Sequence, residues 1–214
     1  MIIPAHTVFS QQVALRGKRV AVIGLARTGL AWVRFLVKQG AQVVGGDAKP
    51  IDQIADATHE VTSLGAEVVP EFKELEQIDS PELLIVSPGV PYNHPALVQA
   101  RAENTEVIGE IELAYRFCPV PMIAISGTNG KGTTTMMTGL MLDAAGIANV
   151  VAGNIGLPLI SQIDRAGHVD VVVAEVSSFQ LETVVHFRPW IAVLLNITPD
   201  HLDRYGDLEE YAAA

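Results

Sequence analysis

The run Ile125-Ser126-Gly127-Thr128-Asn129-Gly130-Lys131-Gly132-Thr133-Thr134-Thr135 holds the residue types that phosphate chemistry needs, in the order it needs them. Gly127 and Gly130 let the backbone turn tightly enough for successive N–H groups to converge on one centre. A helix starting at Lys131 adds the positive end of its dipole. The Lys131 ammonium supplies a mobile full charge for β- and γ-phosphate oxygens, and a hydroxyl just after it would hold Mg2+. The run departs from the common G-x-x-x-x-G-K-[ST] order, because its glycines lie closer together and Gly132, which has no hydroxyl, follows the lysine. The magnesium role therefore falls to Thr133 or Thr134.

Three more clusters have chemical content. Val171-Val172-Val173-Ala174-Glu175 is an apolar run ending in an acid, the arrangement by which phosphate-loop enzymes hold a metal ion, although a strand-end carboxylate can also simply face solvent. Ser177, Ser178 and Gln180 follow at once and could line the same cleft. In Asn196-Ile197-Thr198-Pro199-Asp200-His201-Leu202-Asp203-Arg204, two acids flank a histidine. His201 could there be a metal ligand, an acid–base group, an oriented donor or a structural side chain of a polar turn. Near the start, Gly24-Leu25-Ala26-Arg27-Thr28-Gly29 is a degenerate dinucleotide fingerprint, with alanine in place of the second glycine and Asp47 about 20 residues on to meet a ribose or base edge. A turn of this composition also serves plain packing.

These clusters need strands to deliver them. Arg19–Ile23 reads as a buried parallel strand, the stretch to Gln39 repeats apolar residues at helical spacing, and Gln42–Gly46 is a second strand, which together make a βαβ unit. Weaker strands are expected at Glu67–Val69 and Leu83–Val86, with a helix between Pro95 and Glu103. Pro119 and Pro121 interrupt the pattern, which then restarts with a strand at Met122–Ser126, a helix from Lys131 to Ala145, and strands at Val171–Ala174 and Ile191–Leu195. The expected fold is α/β: a Rossmann-like parallel-sheet domain over residues 1–118, then a P-loop-type α/β ATPase domain over 119–214. Every polar cluster falls at the C-terminal end of a strand, the edge where open α/β sheets bind ligands.

Composition narrows the class. Of 214 residues, 49% are apolar and 18% charged, which excludes disorder as the default state. A single cysteine, Cys118, excludes an internal disulfide framework and suits a reducing compartment. No apolar run approaches the roughly 18 residues of a membrane span, and no basic residue precedes Arg16 as a signal peptide would require. A cytoplasmic protein without membrane or nucleic-acid partners is the expectation. The net charge of −10 is unevenly spread, for residues 1–50 carry seven basic side chains against one acid. That start either faces solvent or meets an anion.

Taken together, Gly127-Thr128-Asn129-Gly130-Lys131, Gly153-Asn154-Ile155-Gly156, Glu175 to Leu181 and Asn196 to Asp203 make the whole chain resemble the Mur ligases of peptidoglycan synthesis. The Gly24–Gly29 turn, Asp47 and Ser87-Pro88-Gly89-Val90 are similar to the members that join UDP-N-acetylmuramoyl-L-alanine to D-glutamate. The resemblance implies a monomeric ATP- and Mg2+-dependent amide ligase that activates the substrate carboxylate as an acyl phosphate. It implies that Arg27, Thr28, Asp47 and Gly89 hold the uridine diphosphate, that Asn154 touches the muramoyl substrate, and that Ser177 and Gln180 line the cleft. Gly127, Thr128, Asn129, Gly130, Lys131, Gly132, Thr133 and Thr134 would bind ATP, with Lys131, Glu175 and His201 catalytic and Thr133, Glu175 and His201 serving magnesium. A UDP-sugar at the first turn also accounts for its missing glycine.

Two departures stand beside the resemblance. The Lys131-Gly132-Thr133 order is closer to folylpolyglutamate synthases, which run the same acyl-phosphate chemistry on folates without a UDP-binding unit. Mur ligases also carry a third domain and a carbamylated lysine after the Asp-His pair, whereas Lys131 is the last lysine of this chain, which stops within the opening turns of a helix. The expectation is therefore two domains, the second incomplete, of an amide ligase that does not catalyse alone; the alternatives are a folylpolyglutamate-synthase-like ligase and a non-catalytic nucleotide-binding fragment.

Overall fold

The computed structural model describes residues 14–214, which fall into two units, one ending at Glu110 and the other beginning at Ile111. The first contains β1 (Arg19–Ile23), α1 (Arg27–Lys38), β2 (Gln42–Gly46), α2 (Ala55–Ser63), β3 (Glu67–Val69), β4 (Leu83–Val86), α3 (Pro95–Ala102) and β5 (Glu106–Ile108). Its strands pair in parallel in the order β3-β2-β1-β4-β5, the half-Rossmann arrangement in which the order reverses beside β1. Parallel strands need crossovers, and the helices that supply them cover the sheet faces, so β1 and β4 are apolar at nearly every position.

Helix α1 buries Ala31, Trp32, Val33, Phe35 and Leu36, a one-sided stripe at helical spacing, and packs on β1 and β2. Its close seating on the preceding turn depends on Gly29. A Cβ there would lie 1.9 Å from the Gly24 carbonyl oxygen. On one side of the sheet Ala21, Ile23, Val44, Leu84 and Val86 enclose a core with Phe72, Leu75, Leu97 and Ala100.

Helix α4 (Glu110–Phe117) leads into the second unit, which continues with β6 (Met122–Ser126), α5 (Lys131–Ala144), β7 (Asn149–Gly153), α6 (Ile163–Ala166), β8 (Val171–Glu175), α7 (Ser178–Leu181), β9 (Ile191–Leu194) and α8 (Leu208–Ala213). The four strands are again parallel, in the order β7-β8-β6-β9. Ile123, Ile125, Val171 and Val173 pack with Leu142 of α5 and with Ile147 and Val151. Glu112, wholly buried on α4, accepts three backbone N–H bonds, from Val185, His186 and Phe187, each at 2.9 Å. Its other oxygen takes the Arg116 Nε at 2.7 Å. The carboxylate thus ties α4 to the loop that leads into β9.

The α/β class and the order of the expected strands hold. Among the described residues, strands β5 and β7 and helices α2, α4, α6 and α7 are additional. Helix α2 buries little beyond Val61 and so lacks a clear apolar stripe, β5 is only three residues long, and β7 runs directly into a glycine turn. Cys118 is free and buried, with burial pushing its thiol up. No helix among the described residues is long and apolar enough to cross a membrane.

Candidate functional site

In the first unit the four expected substrate residues share one sheet edge. Arg27 and Thr28 open α1 after β1, Asp47 follows β2, and Gly89 lies in the turn after β4. Asp47 holds this edge together: Oδ2 accepts from the Leu25 N–H at 2.8 Å and Oδ1 from the Lys49 N–H at 3.0 Å. Gly24, at φ +93°, brings the first turn so near the third that a Cβ would stand 2.8 Å from the Ser87 Cβ. Ala26 and Arg27 are exposed and Thr28 half-buried, so the first turn of α1 presents a cation and free N–H groups at the helix's positive end.

The second unit brings the phosphate-loop residues and Glu175 together. Gly130, at φ +84°, caps α5, so the run from Gly127 to Gly130 curls into the N-terminus of a fourteen-residue helix. Lys131 Nζ donates to the Gly127 carbonyl at 2.7 Å and the Thr128 carbonyl at 3.0 Å. An ammonium has three donors, so one is left for an anion at the loop. Glu175 ends β8 with 5% exposure. Asn154 grips it twice, its backbone N–H donating to the Glu175 carbonyl at 3.0 Å and its Nδ2 to Oε1 at 2.8 Å. The other oxygen, Oε2, lies 3.1 Å from where a Cβ on residue 132 would be. Gly132 therefore leaves the room that the carboxylate uses, which gives a physical reason for the unusual Lys-Gly order.

The threonines after Lys131 divide by environment. Thr135 and Thr138 turn their hydroxyls back onto the Lys131 and Thr134 carbonyls at 2.8 Å each, whereas Thr133 is exposed on the first turn and Thr134 is half-buried. Thr128 is spent inside the protein: its Oγ1 accepts from the Thr198 N–H at 3.0 Å and lies 3.1 Å from both the Thr198 carbonyl and the Tyr211 hydroxyl. Asn129 is bonded through its backbone to Asn196. Ser177 and Gln180 bond each other in a capping box at the start of α7, with the Ser177 N–H donating to Gln180 Oε1 at 2.9 Å.

His201 stands at φ +52°, in the left-handed region, with its ring centroid 4.6 Å from that of Phe179 and its Nε2 3.7 Å from Asp200 Oδ2. A half-buried network holds this turn in place. Arg204 pairs with Glu182 through two nitrogens and lies over the Phe179 ring, and Tyr205 donates to Glu182 at 2.7 Å. Burial, reinforced by the Glu182 bond, pushes the Tyr205 hydroxyl up to about 12. Tyr211, Glu182, Arg204 and the Asn196 amide were not singled out from the sequence, because each acts through a partner many positions away.

Among the described residues no three His, Cys, Asp or Glu side chains gather into a ready-made metal cage. Magnesium does not need one, since it commonly takes one or two carboxylates and completes its shell with phosphate oxygens and water. The Glu175 carboxylate beside Gly132, at the N-terminus of α5, fits that mode.

Family comparison divides the chain in the same way. Residues 18–109 match the model of the Mur ligase MurD-like N-terminal domain, and residues 125–214 that of the Mur ligase middle domain. The UDP-N-acetylmuramoylalanine–D-glutamate ligase of Geobacter metallireducens is 48% identical over 200 residues, covering 94% of this chain and 44% of its own length. That of Pelotomaculum thermopropionicum is 49% identical over 196 residues, covering 92% of this chain and 43% of its own. The chain thus spans about half the length of the curated relatives it matches. Among solved structures, the UDP-N-acetylmuramate:L-alanyl-γ-D-glutamyl-meso-diaminopimelate ligase of Neisseria meningitides aligns with a TM-score of 0.55 at 22% identity, over 92% of this chain and 66% of its own. The UDP-N-acetylmuramate-alanine ligase of Thermotoga maritima aligns at 0.51 and 23%, over 91% and 45%. These two likenesses speak to the fold.

Proposed function

Because this chain belongs to the Mur ligase family, carrying its MurD-like N-terminal domain and its middle domain, we propose that it is the UDP-substrate and ATP part of a ligase that adds D-glutamate to UDP-N-acetylmuramoyl-L-alanine. The observation that carries the reading is the meeting of Glu175 with the first turn of α5, directly over Gly132 and beside the Lys131 loop.

In the proposed reaction the alanine carboxylate attacks the γ-phosphorus of ATP, forming an O–P bond as ADP leaves. The D-glutamate amine then attacks the acyl carbon, loses a proton and displaces phosphate, leaving the amide. This chain's share is to bind and position. The N–H groups of Lys131, Gly132 and Thr133, which have no partner within the helix, would hold phosphate oxygens, and the free donor of Lys131 would offset charge as it spreads toward ADP. Glu175, Thr133 and His201 would hold magnesium, whose contribution when bound is to screen the phosphates from the incoming carboxylate. Asn154 keeps Glu175 aimed and stays close to the muramoyl end. Arg27, Thr28, Asp47 and Gly89 would take the uridine diphosphate at the positive end of α1, with Ser177 and Gln180 shaping the cleft through their capping turn.

A folate substrate is less well supported, since the match over residues 18–109 is to a domain of the UDP-binding kind. The reading expects a monomer in the cytoplasm, where one buried thiol stays reduced. Calorimetric titration tests it. UDP-N-acetylmuramoyl-L-alanine should bind this chain, and Arg27→Ala and Asp47→Ala should each weaken it about tenfold, the scale of a lost charge-assisted hydrogen bond. MgADP binding should be lost in Lys131→Ala. Unchanged affinities in all three variants would overturn the proposal.

A further inference from the structure

We propose, on the nucleotide reading above, that Asn196 is a positioning residue for the phosphates, acting through the loop it holds. Strands β6 and β9 pair in parallel, and their ladder does not stop where the strands do. The Leu195 N–H donates to the Ser126 carbonyl at 3.0 Å and the Thr128 N–H to the Asn196 carbonyl at 3.0 Å. At the following rung the Asn196 side chain takes the place of a backbone peptide. Its Oδ1 accepts from the Asn129 N–H at 2.9 Å and its Nδ2 donates to the Asn129 carbonyl at 3.0 Å.

A carboxamide has the donor and acceptor of a peptide group on one planar unit, which is why this rung needs asparagine. Aspartate would lack the donor and alanine both. The approach is close enough to require glycine on the other side, since a Cβ on Gly127, at φ +135°, would sit 3.1 Å from both the nitrogen and the oxygen of the Asn196 backbone. Thr128 and Asn129 are thereby bonded along the extension of β9 before Gly130 turns the chain into α5.

The consequence for phosphate is a division of labour among the N–H groups. Those of Thr128 and Asn129 are consumed by Asn196, which leaves those opening α5 for the anion and fixes where it can sit. Asn129 is exposed and Asn196 half-buried, so these bonds compete with water and contribute little to global stability. Their effect is expected in the shape of the loop. The same strand end continues through Thr198, which Thr128 holds, to His201, so a loosened rung also loosens that turn.

The test uses MgADP calorimetry on the 214-residue chain, with amide hydrogen exchange and thermal denaturation alongside. Asn196→Ala should weaken MgADP about tenfold and speed exchange at the Asn129 amide by a similar factor, while moving Tm little. Asn196→Ser, too short to bridge both groups, should behave the same way and decides the matter should the alanine variant not fold. If Lys131→Ala abolishes binding while the Asn196 variants bind as tightly as the parent, the inference fails and the nucleotide reading stands. If Lys131→Ala also binds normally, the nucleotide reading fails and takes the inference with it.

Discussion

The Tyr211 hydroxyl lies 3.1 Å from Thr128 Oγ1, a buried contact between residues 83 positions apart. It joins the phosphate loop to α8, a short helix that starts on its own cap, with the Glu210 N–H donating to Asp207 Oδ1 at 2.8 Å. Because Thr128 also bonds Thr198, three separated segments converge on one hydroxyl.

The two side chains should be unequal in cost. Tyr211→Phe removes one bond and leaves Thr128 satisfied by Thr198, so a loss of about 1 kcal/mol is expected. Thr128→Val orphans the Thr198 N–H as well and should cost about 2–3 kcal/mol. Urea unfolding of both single variants and the double variant should give a coupling of about 1 kcal/mol, and additive losses would show that the contact carries no energy.

Glu112 should be among the most sensitive positions of the second unit. Its removal takes the acceptor of Nε from the buried Arg116 guanidinium and strips three N–H groups of theirs. Glu112→Ala should cost about 3–5 kcal/mol, against a change near zero for exposed Glu209→Ala, as read by denaturant midpoints at constant slope.

How much of this was legible beforehand follows from the range of each interaction. The strand at 122–126, the glycine turn and the helix from Lys131 are encoded locally, by an apolar run, by residues that tolerate positive φ, and by helical spacing. The placement of Glu175 at a strand end is equally local. Its approach to Gly132 is not, because it depends on β6 and β8 being neighbours, a pairing between strands with β7 between them in the chain. Asn196, Tyr211 and the Glu182–Arg204 pair escaped for the same reason. Ser177 and Gln180 are the reverse case, an S-x-x-Q cap written within four consecutive residues and so legible in the sequence by itself.

Alkaline pH should weaken the fold through Tyr205. Burial and the bond to Glu182 raise its hydroxyl to about 12, above the unfolded value of about 10. A group that holds its proton more tightly when folded contributes its full stabilisation below about pH 10 and loses it as pH climbs toward 12. Tyr115 is shifted in the same direction, chiefly by burial. Stability measured at pH 9 and 11.5 should fall in the parent and fall less in Tyr205→Phe. Equal slopes in the two proteins would remove Tyr205 from the account.

Restoring the common lysine-serine order should harm the site. Gly132→Ser supplies the hydroxyl that the standard loop uses, and by motif alone it would be expected to strengthen magnesium binding. The structure argues the other way. The new Cβ would stand 3.1 Å from Glu175 Oε2 and 3.1 Å from the Ile155 Cδ1, so the carboxylate must give ground or the first turn of α5 must shift. Either movement works against the 2.8 Å bond by which Asn154 aims Glu175. Gly132→Ala adds the same Cβ without a hydroxyl and separates the two effects. Both variants should bind MgADP about tenfold more weakly than the parent, with ADP alone affected less, because the displaced group is the one read here as serving the metal. Tighter MgADP binding by Gly132→Ser, with Gly132→Ala weakened, would show that the loop accommodates the hydroxyl and that room for Glu175 is not why glycine is found there.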